Sequence, residues 1–423
     1  MRIKSLQLNN IGVFENELIE FKPCPSKGKA EIHIFTGTNG TGKSTLLKAL
    51  AASFTRYSDG NYEYEIYDNS FEKYFRQQKS SFEPTFEHKG QNFQTSKENG
   101  DFSEYLYVIN RPNLPTRDVS FCALAYSGNR RLFATHSIDG HNLQMENPLY
   151  YALKFDQIPN QKFVISDWLK NSLLKRGYAK SENIKIKEEL HNDIINKIEE
   201  LIYRITGKKV IFKLDLNLNK TVLQYDGNEI EFEVLPDGLK SIISWVADLC
   251  MRLVDLPWEN NTPIFDRNII LLLDEIEIHL HIEWQRKILP AIQMLFPNAQ
   301  IFISTHSPFV VNSVDDAWVY NLEVKKGNAH VRKVELSQDG KSFTSVLRNI
   351  FGVKETFGPA IEKDLTVFKG LIAKALDKSI ISKEEKELAK IAQKLAHEGT
   401  ELESIVGFEM RQVEKLNKKE LVQ

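Results

Sequence analysis

A chain of 423 residues with 42% hydrophobic and 26% charged side chains has the balance of a globular protein and is too long for one simple core. It should be one large α/β domain with insertions, or about two to three lobes. Its 55 Lys and Arg against 57 Asp and Glu give a formal charge of −2, which excludes the overall basic character that nucleic acids select but leaves room for a local basic patch. The cysteines, Cys24, Cys122 and Cys250, are far apart and form no C-x-x-C pair, which argues against a zinc site and a disulfide framework and points to a reducing compartment.

At the N-terminus, Met1 to Leu6 lacks the apolar run of a signal peptide, and no run of about 18 apolar residues follows anywhere to span a bilayer. The expected location is cytoplasmic, with no membrane partner. Two strands come first, through Ile3, Leu6, Leu8 and Ile11 to Phe14 and then Leu18 to Phe21. A buried strand at Ile32–Phe35 then leads into Gly37-Thr38-Asn39-Gly40-Thr41-Gly42-Lys43-Ser44, a complete G-x-x-x-x-G-K-[ST] phosphate loop opening onto a helix at Thr45–Leu50. The glycines let backbone amides and the helix N-terminus face phosphate, Lys43 adds a point charge, and the Ser44 hydroxyl is a magnesium ligand. This chemistry implies a bound nucleoside triphosphate with Mg2+.

Residues 1–54 read as the N-terminal lobe of a nucleotide domain, and 55–120 as an inserted region without a stable period. Its aromatics, Tyr57, Tyr62, Tyr64, Tyr67, Phe71, Tyr74, Phe75, Phe82, Phe86 and Phe93, could stack on nucleic-acid bases, but sparse Lys and Arg favour a satellite core. Residues 121–165 return to the nucleotide domain. A helical arm or lid occupies 166–209, with Ile186, Leu190, Ile194, Ile198, Leu201 and Ile205 near one face, and it is too short for a long coiled coil. From 210 to 335 the chain is again the core, beginning with a hairpin of Val210–Leu216 and Thr221–Tyr225. The region 336–423 is charged and helical, with one amphipathic helix marked by Ile361, Leu365, Phe368 and Ile372. A second is introduced by a capping box of Ser382 and Glu385, and the role of this region is structural or partner binding.

The core segment supplies the remaining chemistry. Ile269–Leu273 is a continuous apolar run ending in Asp274-Glu275, as a central parallel strand would deliver acids to the carboxyl edge of its sheet. Asp274 is placed to hold magnesium through water or directly, and Glu275 to act as general base on the attacking water. The run Ala299–Pro308 reads as a second buried strand ending in Ser304-Thr305-His306-Ser307-Pro308, which puts His306 at the same edge, within reach of a γ-phosphate.

The order of phosphate loop, long insertion, Leu235-Pro236-Asp237-Gly238-Leu239-Lys240-Ser241, Asp274-Glu275 with Glu277 and His279-Leu280-His281, then Ser304–Pro308 resembles an ABC-class ATPase of the RecF, SMC and OLD branch. The resemblance implies an α/β fold, an ABC-type head with N-terminal antiparallel strands, a helical arm insertion and a C-terminal helical region. It further implies ATP and Mg2+ as cofactors, with ATP bound by Gly37, Asn39, Gly40, Thr41, Gly42, Lys43, Ser44 and Thr45. Leu235, Pro236, Asp237 and Gly238 would stand for the signature that completes the site of a second subunit in a homodimer or higher homo-oligomer. Glu275 and His306 would be catalytic, and Ser44 and Asp274 the metal residues. Ala125–Arg131 is similar to the Tyr-Gly-x-x-Arg segment of OLD-like ATPases. Pro236 replaces the usual signature serine and Ile276 a usual proline. Loss of a charge-assisted hydrogen bond of about 1.5 to 3 kcal/mol at the signature implies slow hydrolysis.

The nuclease domain of OLD-like proteins has no counterpart after His306, where Asp315-Asp316 reads as a loop. The compact head, the tail beginning Leu347–Val353 and the closing Glu401–Ile405 and Glu409–Arg411 resemble the ATPase subunit of Septu-type antiphage systems and related retron cassettes. That resemblance implies a defence ATPase regulating a separate HNH nuclease, with DNA contacted directly or through the nuclease. The alternative is a RecF-like repair ATPase acting on DNA without a nuclease partner.

Overall fold

The computed structural model describes residues 1–54, 69–76, 79–98, 101–102, 119–128, 148–149, 152–155, 168–175, 185–215, 220–337, 342–353, 355 and 357–420. Tyr57, Tyr62, Tyr64, Tyr67 and Asn129–Arg131 lie outside them. The described residues fall into two units, Met1–Val346 and Leu347–Gln423.

In the first unit, β1 (Arg2–Ile11) and β2 (Phe14–Glu20) form an antiparallel pair, as their alternating apolar residues predict. β3 (Glu31–Gly37) leads through the phosphate loop into α1 (Lys43–Ala52), whose Leu46, Leu47 and Leu50 are buried. β4 (Ser81–His88) then returns to pair with the other edge of β1, and the short β5 (Gln91–Gln94), β6 (Lys97–Glu98) and β7 (Asp101–Phe102) extend that sheet. Residues 81–88, 91–94, 97–98 and 101–102 of the expected insertion at 55–120 are thus part of the N-terminal sheet. Phe82, Pro84 and Phe86 alternate inward in β4, a period that Pro84 disguises because proline reads as a strand breaker. Proline is tolerated beside an irregularity, and the β1 register shifts between Ile3 and Ser5, opposite Phe86 and Thr85. Phe71, Phe75 and Phe82 pack ring against ring, so these aromatics form a satellite core.

β8 (Cys122–Ser127) enters the central sheet, and α2 (Lys185–Thr206) follows. Ile194, Ile198, Leu201 and Ile205 of α2 are buried. The helix lies against α3 (Asp237–Asp255) and α4 (Ile282–Leu295), which cover these residues within this unit. Between α2 and α3, β9 (Val210–Asp215), β10 (Lys220–Tyr225) and β11 (Asn228–Ile230) form a small antiparallel sheet that contains the expected hairpin. β12 (Ile269–Asp274), β13 (Gln300–Ser304), β14 (Trp318–Lys325) and β15 (Asn328–Leu336) complete the core.

The central sheet has the order β15-β14-β3-β13-β12-β8, all parallel apart from the β14–β15 edge pair. Its register aligns Phe35 with Ser304, Ser304 with Asp274, and Asp274 with Ser127. The carboxyl ends of four strands therefore finish side by side, with the phosphate loop, His306, Glu275 and Gly128 following directly. At the opposite end, the Gln300 side chain accepts from the Ile3 N–H at 2.7 Å and donates to its carbonyl at 2.9 Å, tying the N-terminal strand to the sheet.

Behind β8 lies a buried ion pair. Arg252 Nε donates to Asp248 Oδ2 at 2.7 Å, Tyr126 hydroxyl donates to the same oxygen at 2.8 Å, and Arg252 also reaches the Pro148 carbonyl at 2.7 Å. Both charged side chains are 1% exposed. The pair fastens α3 to the strand beside the nucleotide edge.

In the second unit, α5 (Pro359–Leu376), α6 (Ser382–His397) and α7 (Thr400–Glu420) share a core of Leu365, Phe368, Leu388, Leu395, Leu402 and Val406. The start of α6 differs from the expected box. Ser382 is already helical, and the side chain that reaches back is Glu384, which accepts from the Ile381 N–H at 3.2 Å. Among the described residues no helix is long and apolar enough to cross a membrane.

The buried pair makes a stability prediction. Asp248→Ala strands the Arg252 guanidinium and should lower unfolding free energy by about 3 to 5 kcal/mol in urea denaturation. Pairing that change with Arg252→Met should recover most of the loss; a single variant as stable as the native chain would show that the ion pair fastens nothing.

Candidate nucleotide site

The phosphate loop is shaped by close approach. Gly42 has φ +89°, and a Cβ there would lie 2.6 Å from both the Phe14 ring and Val13, so the β1–β2 turn is seated on the loop and only glycine fits. Asn39 and Gly40 are exposed, while Thr41 is buried and its hydroxyl donates to the Thr38 carbonyl at 2.8 Å. Thr45 packs against the same turn at Gly12. Lys43 is 5% exposed and its ammonium donates to the carbonyls of Gly37 at 2.9 Å and Thr38 at 3.1 Å. Burial pulls its pKa down, against the opposing pull of the Glu275, Asp274 and Glu277 carboxylates. A cation held by loop carbonyls and facing carboxylates is poised for a stronger anion.

Across the loop, the Ser44 hydroxyl donates to Asp274 Oδ1 at 3.1 Å, and the Ser304 hydroxyl bonds the same oxygen. A hydroxyl and a carboxylate already in contact beside a phosphate loop are hard oxygen donors and fit Mg2+, which keeps waters and takes few protein ligands. Ser44 and Asp274 would hold it.

Glu275 follows in the left-handed region at φ +50°, a conformation that costs a non-glycine residue energy and concentrates at functional sites. Its N–H donates to the Ser304 carbonyl at 3.1 Å, which fixes the backbone and leaves the carboxylate half-exposed. His306 Nε2 lies 3.7 Å from Glu275 Oε1. Burial and the nearby Asp274 carboxylate push Glu275 above the ordinary carboxylate range, with Lys43 opposing. Burial and Lys43 hold His306 below the ordinary imidazole range, with Asp274 opposing. Each shift runs towards the uncharged form of its group.

Gly37–Thr45, Asp274, Glu275 and His306 are thereby gathered on one strand edge. Leu235–Gly238 is placed at the head of α3 instead. Leu235 is buried, Pro236 is the N-cap, Asp237 is exposed, and a Cβ on Gly238 would lie 2.5 Å from the His279 carbonyl. Leu235–Gly238 thus abuts the loop that follows Glu275. Of the Ala125–Arg131 segment, Tyr126 is used in the ion-pair network, and Gly128 N–H donates to the Asp274 carbonyl at 3.0 Å.

Sequence reasoning assigned no role to Glu277 and Gln285. Glu277 accepts from the Thr305 hydroxyl and the His306 N–H, and the Ser307 hydroxyl donates to Gln285 Oε1 at 2.6 Å. Neither residue carries a local signal, because each bonds across a gap that only the fold closes.

The sequence pattern of the family described as "AAA domain, putative AbiEii toxin, Type IV TA system" matches residues 32–312. The chain is 29% identical over 208 residues to "Retron Ec83 probable ATPase" of Escherichia coli, covering 44% of this chain and only 38% of that protein. It is 23% identical over 378 residues to "Septu protein PtuA" of Bacillus thuringiensis, covering 87% of this chain and 88% of that protein. Among solved structures, the "SMC head domain from Thermotoga maritima" is 14% identical with a TM-score of 0.41, covering 80% of this chain and 100% of that one. The family match runs from the strand that feeds the phosphate loop to the turn beyond His306, so it takes in the whole aligned edge, and the chain belongs to this AAA-domain family and is an ATPase.

Proposed function

We propose that this ATPase acts in an antiphage defence system as a nucleotide-gated dimer that regulates a separate HNH-type nuclease. The observation that carries the reading is the division of the site. Phosphate loop, metal residues, Glu275 and His306 share one edge, while Leu235–Gly238 stands at a helix start backed by His279, with Pro236 and Asp237 exposed. A helix N-terminus is an anion site, and this one is presented outward for ATP on a second copy. Support for the defence setting comes from the names of the retron and Septu relatives.

When bound, MgATP supplies the phosphoanhydride and the charge neutralisation. Lys43 and the loop amides would orient the phosphates, and Ser44 and Asp274 would hold the metal. Glu275 would take the proton of the water that bonds to the γ-phosphorus as the bond to the β-phosphate oxygen breaks and ADP leaves, and His306 would sense the γ-phosphate. Pro236, in place of a serine hydroxyl, makes closure weak and turnover slow. DNA is met directly or through the nuclease, in the cytoplasm.

Glu275→Gln should retain ATP and accumulate a dimer, read as doubled mass in light scattering with ATP and not without it; native turnover by this variant would remove Glu275 as the base. Coexpression with the adjacent gene tests the nuclease arm, which fails if no complex copurifies. Because Glu275 works ionised and its pKa is raised, kcat/KM should fall on acidification at a pH above the ordinary carboxylate value of about 4.3. A limb at that ordinary value or lower would contradict this. Pro236→Ser should tighten ATP-dependent dimerisation about tenfold or more, the equivalent of one restored charge-assisted hydrogen bond. Unchanged dimer affinity would mean that the signature is not used across the dimer.

A further inference from the structure

The loop after β12 carries a second glutamate that the nucleotide chemistry does not use. Glu277 is 9% exposed and turns back towards β13. Its Oε1 accepts from the Thr305 hydroxyl at 2.7 Å and from the backbone N–H of His306 at 2.8 Å. Its Oε2 is buried, and among the described residues no other residue hydrogen-bonds it. Burial raises the pKa of this carboxyl, while the bonds from Thr305 and His306 oppose the rise. A residue that merely filled this space would be apolar, since a buried half-satisfied carboxylate is costly.

Among the described residues the imidazole of His306 has no comparable anchor. Its Nε2 lies 3.7 Å from Glu275 Oε1, and the side chain is 36% exposed. The ring is therefore placed by its backbone. Thr305 N–H is tied to the Phe35 carbonyl at 3.1 Å, Ser307 N–H to Thr305 Oγ1 at 2.9 Å, and the bond to the amide of His306 itself comes from Glu277. We infer that Glu277 is the positioning residue of His306, holding the histidine amide so that its ring stays beside Glu275 at the phosphate edge. This rests on the reading of His306 as the γ-phosphate sensor.

A competing arrangement is possible on geometry alone. Glu277 stands between Glu275 and His279, both left-handed, and could serve by stabilising the Glu275 backbone. The two roles separate in a double-mutant cycle on the full chain. Glu277→Ala should lower kcat about 10- to 100-fold, as misplacement of a reacting group does, with affinity for a fluorescent ATP analogue held within about threefold. Glu277→Gln keeps an acceptor oxygen and should recover kcat to within about threefold of native. In a His306→Ala background, Glu277→Ala should add no further loss.

An undiminished kcat in Glu277→Ala, or a full additional loss in the His306→Ala background, overturns the inference. Native turnover by His306→Ala would instead sink the sensor reading beneath it. Should Glu277→Ala not fold, Glu277→Asp, one methylene too short to reach both donors, takes its place. It should be slow in the native background and without effect in His306→Ala, and native turnover in this variant overturns the inference equally.

Discussion

The register of the parallel sheet is the constraint on which the site depends. The Ile269–Leu273 segment of β12 is fully buried, and each such apolar side chain contributes about 1.5 to 3 kcal/mol relative to exposure. A slip of one residue would move Asp274 off the row it shares with Ser304 and Ser127 and turn every side chain of the strand to the other face. Hydrophobic burial thus sets the position of a carboxylate to the accuracy of a hydrogen bond. The Asp274 contacts with Ser44 and Ser304 follow from that alignment.

From this row the chain enters a short loop on which separate parts of the molecule converge. Gly128 meets it at the Asp274 carbonyl, Ser304 at the Glu275 N–H, and Gly238 at the His279 carbonyl. Glu277 leaves it for His306, and Gln285 binds both the Leu280 carbonyl and the Ser307 hydroxyl. The left-handed residues Glu275 and His279 are strained, and these bonds offset that strain. The phosphate-loop edge, the head of α3 and His306 therefore contact one short loop within one chain.

Several individual strands were readable because apolar runs and turn chemistry are local. β3, β12 and β13 each announce themselves as buried runs, and the phosphate loop is its own signature. β4 was hidden because Pro84 interrupts the alternation of Phe82 and Phe86, and proline is acceptable there only beside an irregular register in β1. The α6 cap was misplaced because Ser382 and Glu385 fit the pattern of a capping box as local sequence, while the chain turns one residue earlier at Ile381 and the reaching carboxylate is Glu384. The apolar face of α2 was evident, but its periodicity does not say which surface covers it. The covering surfaces, α3 and α4, come from later in the chain.

By itself the sequence determined where the phosphate-loop pattern of Gly37–Ser44, the acids at the end of β12 and the histidine at the end of β13 lie, because each is a short segment legible in adjacent residues. Only the tertiary structure decided which of these meet. Ser44 and Asp274 are separated by 230 positions, Glu277 and His306 by 29, and Tyr126 and Asp248 by 122. Periodicity constrains which face of an element is buried. A hydrogen bond about 3 Å long between distant segments also needs strand order and register, and those are properties of the packed sheet as a whole.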